Sequence, residues 1–245
     1  MILDWEKFKF KFDPSWRQKM KVWIQSAECY DIYQELKASK SEVFPFSADL
    51  WKAFQFVNLD KLKGIVIGQS PYHTHESGVP YADGLAFSCS NVKRLSPSLS
   101  VLYDALDDDL SVKVERTPDL EYLGFQDILL LNTCLTIDKG DKDSLDKHNV
   151  LWQPFIKYLF EQMLDTCTGI PIILFGKAAE EQIVPYLKPE CHIWKCIKHP
   201  SYWARIEKPM EHQNCFSWMS QTIKDNNGEE LYWNYADYNR YFLPF

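Results

Sequence analysis

The chain has 245 residues, 46% of them apolar and 15% aromatic, with a net charge of −7, enough apolar material for one sizeable core and an expected single domain over 1–245. No run approaches the roughly 18 apolar residues of a membrane span, and MILDWEKFKFKFD lacks the layout of a signal peptide, so a soluble cytoplasmic protein with no membrane partner is expected. The seven cysteines are odd in number and scattered, which speaks against a disulfide framework or a zinc site.

Taken in chain order, an N-terminal region over about 1–60 reads as helical. Apolar positions recur at Trp16, Met20, Val22, Trp23, Ile24, Tyr30, Ile32 and Leu36, and again from Leu50 to Phe56. The pattern then changes to short apolar runs: GIVIG (64–68), ILLLNT (128–133), IPIILFG (170–176) and HIWKCIK (192–198). Helical patterns near 97–107, 150–165, 177–187 and 212–224 separate or follow these buried strands. Strand alternating with helix predicts an α/β fold: a central, mainly parallel four-stranded sheet flanked by helices. Ligands of such sheets bind beyond the carboxyl ends of the strands, where GQSPYH, NTCLT, FGKAA and HPSYW fall. The aromatic tail after Gly228 reads as core cover.

In that order, GQSPYH (68–73), GLAFS (84–88), SPSLSVLY (96–103), LLLNTCLT (129–136), LFGKA (174–178) and HPS (199–201) resemble the motifs of family 1 uracil-DNA glycosylases. Those motifs are GQDPYH, GLAFS, PPSL, LLLN and HPSPLS. The motif likeness does not visibly reach the first sixty residues or the last forty. It implies a monomeric, monofunctional DNA glycosylase that acts on DNA without a metal or other cofactor.

The chemistry accounts for such a gathering. A base within a duplex hides its glycosidic bond, so the nucleotide must be extruded and its base held by stacking and edge hydrogen bonds. By resemblance, Phe87 stacks on the base, Asn132 reads its edge, Tyr72 closes the pocket beside C5 and Gln69 offers a backbone N–H to O2. His199 matches the histidine that hydrogen-bonds O2 as charge develops on the leaving base. Ser98, Lys177 and Ser201 are placed to hold phosphates. Trp203 stands where the family has the leucine that wedges into the vacated stack. The overall negative charge opposes phosphate binding, but Lys188, Lys195, Lys198, Arg205 and Lys208 allow a local basic face.

The chain departs from the family at Ser70, where the motif has the aspartate that positions water and stabilises the sugar cation. Between Tyr72 and GLAFS, the longer HTHESGVPYAD segment supplies Asp83 and, second, Glu76 as replacement carboxylates. His73 and His75 lack a third ligand at suitable spacing, so no metal site is expected. The small Ser70 and the longer loop favour a modified pyrimidine, such as a hydroxymethylated or glucosylated cytosine of phage DNA, with a role in defence. The alternatives are a uracil-DNA glycosylase of base excision repair and a non-catalytic DNA-binding homologue.

Overall fold

In the computed structural model, which describes residues 9–242, each of the four long apolar runs is a strand. They are β2 (Gly64–Gly68), β5 (Ile128–Asn132), β7 (Ile170–Phe175) and β8 (His192–Ile197), following the short β1 (Val43–Phe44) in the chain. The sheet order is β5-β2-β7-β8, and every pairing is parallel. All residues of β2, β5 and β7 are buried, as strands covered on both faces must be. That is why they read as unbroken apolar runs rather than alternating ones. Short antiparallel pairs complete the set: β3 (His75–Glu76) with β4 (Val79–Pro80), and β1 with β6 (Ile137–Asp138).

The N-terminal segment forms the helices Arg17–Ile24 and Ala27–Ala38 and then 3-10 turns. Ser26 caps the second helix by accepting from Cys29 N, as a residue in extended conformation at a helix entry can. The apolar face of this segment packs as an aromatic cluster, with Trp16 edge-on to Phe54 at 5.0 Å and Trp23 at 5.2 Å from Phe155. Residues 1–8 of the expected helical region lie outside the described residues. The tail packs as core cover: Trp233 and Tyr238 are buried, and Gln126 binds the backbone of Tyr232 through both ends of its amide. No helix among the described residues is long and apolar enough to cross a membrane.

Candidate active site

The site grows from the carboxyl ends of the two central strands and their neighbours. Gly68 ends β2 and pairs in register with Asn132, the last residue of β5. A Cβ on Gly68 would lie 2.5 Å from Asn132 Oδ1 and 3.3 Å from Phe87 Cζ, so only glycine lets the amide and the ring share that floor. Asn132 is 7% exposed, and its side chain makes no hydrogen bond with a described residue. A buried amide without a partner is costly unless something else supplies one.

Phe87 packs edge-on against Phe175 at 5.2 Å and lies 5.6 Å from the His199 ring. Its backbone is left-handed, with φ of 66°, a conformation that costs a non-glycine residue energy and tends to persist at functional sites. Behind His199, Gly176 has φ of 96°, and a Cβ there would come within 3.0 Å of His199 Cβ. The histidine therefore follows β8 closely packed against the turn that leaves β7. It caps the Pro200–Ile206 helix, its Nδ1 accepting from Ser201 N at 3.2 Å and lying 2.7 Å from Ser201 Oγ. Burial pushes the imidazole pKa down to about 4, so the ring is neutral at physiological pH.

Tyr72 is fixed at both faces of its hydroxyl: it donates to Phe87 O at 2.9 Å and accepts from Ser96 Oγ at 2.6 Å. Thr133 Oγ1 donates to Gln69 O at 2.6 Å, which sets the peptide that follows β2. Ser70 is partly exposed, and its hydroxyl has no partner among the described residues. Thus Tyr72, Phe87, Asn132 and His199 are linked by direct contact or through Gly68, with Gln69 and Ser70 on the adjoining loop.

The two acids expected to replace the missing carboxylate are placed otherwise. Asp83 is wholly buried under the GLAFS turn. Its Oδ1 accepts from Leu85 N at 3.1 Å, and its Oδ2 accepts from Ser88 Oγ at 2.6 Å, Ser90 N at 2.9 Å and Ser90 Oγ at 2.6 Å. A carboxylate whose oxygens serve four donors, with no solvent access, organises the turn that carries GLAFS. Glu76 sits exposed on the β3-β4 hairpin, paired with Arg94 at 3.4 Å. Of the extra loop length, residues 75–80 are spent on that hairpin.

Trp203 is largely buried. Its ring is only 6% exposed and lies against the Pro97–Leu110 helix in a groove shared with Pro97, Val101 and Met210. The more exposed ring is its neighbour Tyr202, which sequence position alone passes over. Of the expected phosphate contacts, Ser201 is exposed, Lys177 is exposed and paired with Glu181 at 3.1 Å, and Ser98 is buried in the first turn of the Pro97–Leu110 helix. Among the described residues no group of three His, Cys, Asp or Glu side chains is disposed to hold a metal ion.

No family model matches the chain. A uracil-DNA glycosylase of Campylobacter curvus is 32% identical over 197 residues, 80% of this chain and 82% of that protein. One of Acinetobacter baumannii is 28% identical over 228 residues, covering 92% and 93%. The likeness therefore extends beyond the motif-bearing stretch. Among solved structures, mimivirus uracil-DNA glycosylase superposes with a TM-score of 0.81 at 19% identity, over 95% of this chain and 90% of that one. The wild-type UNG of Nitratifractor salsuginis gives 0.62 at 20% identity, over 89% and 95%. At such identities these structures speak to the fold.

Proposed function

The chain belongs to the uracil-DNA glycosylase family, enzymes that hydrolyse N-glycosyl bonds in DNA, and we propose that it excises uracil, extruded from the helix, leaving an abasic site. The observation that carries this choice of base is Tyr72. Its hydroxyl is held by Phe87 O and Ser96 Oγ, so the ring cannot swing aside without breaking two hydrogen bonds. A ring so fixed beside C5 admits hydrogen and excludes larger substituents.

The remaining residues take consistent parts. Phe87 stacks on the base, and the unpartnered amide of Asn132 pairs with its O4 and N3–H edge. As the bond from C1′ to N1 breaks, its electron pair leaves with the base and negative charge gathers on O2. The Nε2–H of neutral His199 and the backbone N–H of Gln69 are the donors for that oxygen. The sugar cation then captures a water molecule, whose proton passes to solvent. Ser70 can orient this water but not accept its proton, and loss of a general base costs on the order of 10²–10⁴ in rate. A slow enzyme is the expected consequence.

Excision of a hydroxymethylated or glucosylated cytosine is the second reading, favoured by one observation. Ser70 is uncharged, smaller than aspartate and unbonded, which leaves room on the 69–73 loop. Purified protein incubated with DNA containing uracil, unmodified cytosine or phage-type modified cytosine, followed by counting of abasic sites, separates the two. Uracil DNA alone should be cut. Cutting confined to modified DNA would replace uracil by the second reading, and no base release from any of them would remove the activity.

A further inference from the structure

Thr133 directly follows β5 and is buried, and its two donors hold two consecutive carbonyls at the start of the GQSPYH loop. Its backbone N–H donates to Gly68 O at 3.1 Å, and its Oγ1 donates to Gln69 O at 2.6 Å. A peptide unit is planar, so a carbonyl that is held fixes the N–H on the other side of the same unit. Gly68 O thus sets the direction of the Gln69 N–H, and Gln69 O sets that of the Ser70 N–H and the place of the Ser70 Cα. The first bond continues the parallel ladder of β2 and β5, and any residue but proline could make it. The second needs a hydroxyl. Apart from Thr133, the described residue that reaches Gln69 O is Cys134, whose thiol, a weak donor, lies 3.7 Å away.

Asn149 stands behind this hydroxyl. It is buried on the Leu145–Tyr158 helix, with Oδ1 3.0 Å from Thr133 Oγ1. A hydroxyl has one proton, and Gln69 O, the nearer of the two oxygens and able only to accept, takes it. The Asn149 amide is therefore turned over, its NH2 donating to Oγ1. A hydroxyl that accepts in this way becomes a stronger donor, so the chain runs from Asn149 through Thr133 to Gln69. Thr136 supplies the contrast. Its hydroxyl also faces this helix, 2.8 Å from His148 Nδ1 and accepting from Trp152 Nε1 at 2.7 Å, but it makes no hydrogen bond to residues 68–73.

We infer that Thr133, backed by Asn149, is the positioning residue of the Gln69–Ser70 turn: it aims the Gln69 N–H at O2 of the departing base and sets where Ser70 orients the water. This rests on the reading of the chain as a uracil-releasing enzyme and goes beyond it, assigning two buried residues that act through the loop. A backbone donor stabilises developing charge only when it is held in place before the bond breaks. With an uncharged Ser70 beside it, the turn has only the placement of its dipoles to offer.

The test compares wild type with Thr133→Val, Thr133→Ser, Asn149→Ala and, as a matched control, Thr136→Val, which also removes a buried hydroxyl facing the same helix. Single-turnover release of uracil at varied enzyme concentration gives each a limiting rate and a half-saturating concentration, and thermal melting gives its stability. Thr133→Val should lower the limiting rate about tenfold or more, part of the roughly 10²-fold that a 1 Å misplacement costs, with half-saturation within about twofold of wild type. Thr133→Ser keeps the hydroxyl and should restore the rate. Asn149→Ala should lower it by less than Thr133→Val does. Thr136→Val should lose stability without a comparable loss of rate in the folded enzyme. A second readout needs no activity: in Thr133→Val the Gln69 carbonyl carbon resonance should shift and the Ser70 amide order parameter should fall from the rigid value of about 0.85, both returning in Thr133→Ser. Wild-type rate in Thr133→Val, an equal loss of rate in Thr136→Val, or unchanged Gln69 and Ser70 signals overturns the inference. If Thr133→Val does not fold, Asn149→Ala with wild-type rate and signals overturns it instead. If the wild type releases no base from any DNA, the proposed activity falls, and the Gln69 and Ser70 signals alone decide whether Thr133 holds the turn.

Discussion

Ser201 donates its backbone N–H to Nδ1 of His199, which leaves the imidazole proton on Nε2. Together with a pKa pushed down to about 4 by burial, this fixes both the charge and the tautomer of the ring. At neutral pH the site holds an uncharged donor.

Activity should consequently show no inflection near the ordinary histidine pKa of about 6.5 and should decline only as pH falls toward about 4. The sign for stability follows the same way. Below about 6.5 the unfolded chain takes up a proton that the folded ring refuses, so stability present above that pH is lost as pH falls toward 4. A rate-pH profile at saturating and limiting DNA measures the first, and denaturant melts between pH 4 and 7 the second. Substitution His199→Ala should slow base release by about 10²–10³ with DNA affinity nearly unchanged, in single-turnover assays.

Restoring charge at position 70 should speed the reaction. Ser70→Asp returns a carboxylate to the loop beside Gln69, and single-turnover release of uracil should rise by about 10² or more. An unchanged or lower rate would mean that another group already handles the water.

Asp83 should behave as a structural residue. Its replacement by Ala leaves Leu85 N, Ser88 Oγ and the two Ser90 donors without their acceptor, at a cost of roughly 3 kcal/mol or more. The expected result is a lower melting temperature with activity lost in proportion to unfolding. Full thermal stability with no activity would return Asp83 to the chemistry.

Gly68→Ala tests the floor of the site. The added methyl meets Asn132 Oδ1 at 2.5 Å, so the amide must move, and overpacking of this kind costs about 1–3 kcal/mol. Base release should fall more than affinity for DNA. Equal loss of both would mean that Asn132 does not face the base.

The four strands of the sheet were legible within one residue as GIVIG, ILLLNT, IPIILFG and HIWKCIK: β2, β5 and β7 are buried throughout and so written as continuous apolar runs, whereas the edge strand β8 is only partly buried and mixes Lys195 into its apolar run. The pairs β1-β6 and β3-β4 were not, since strands of two residues carry no periodicity. In the site, ordered motifs named Tyr72, Phe87, Asn132 and His199, which the fold brings together. Asp83 and Trp203 show the boundary of that legibility. Sequence gives their position beside a motif, but the direction of a side chain depends on what packs above it. For Asp83 that is the ring of donors from residues 85–90, and for Trp203 the Pro97–Leu110 helix.

The sheet order β5-β2-β7-β8 also bears on how the enzyme comes into being. During synthesis Gly68 and Phe87 leave the ribosome first, Asn132 follows, and His199 comes last of these, beyond an edge strand whose partner in the sheet is β7. The nascent chain can therefore assemble the floor and the stacking ring before it has the imidazole. On the proposed mechanism, competence for bond cleavage waits for His199, and a product that stops short of β8 has the floor of the site without its donor.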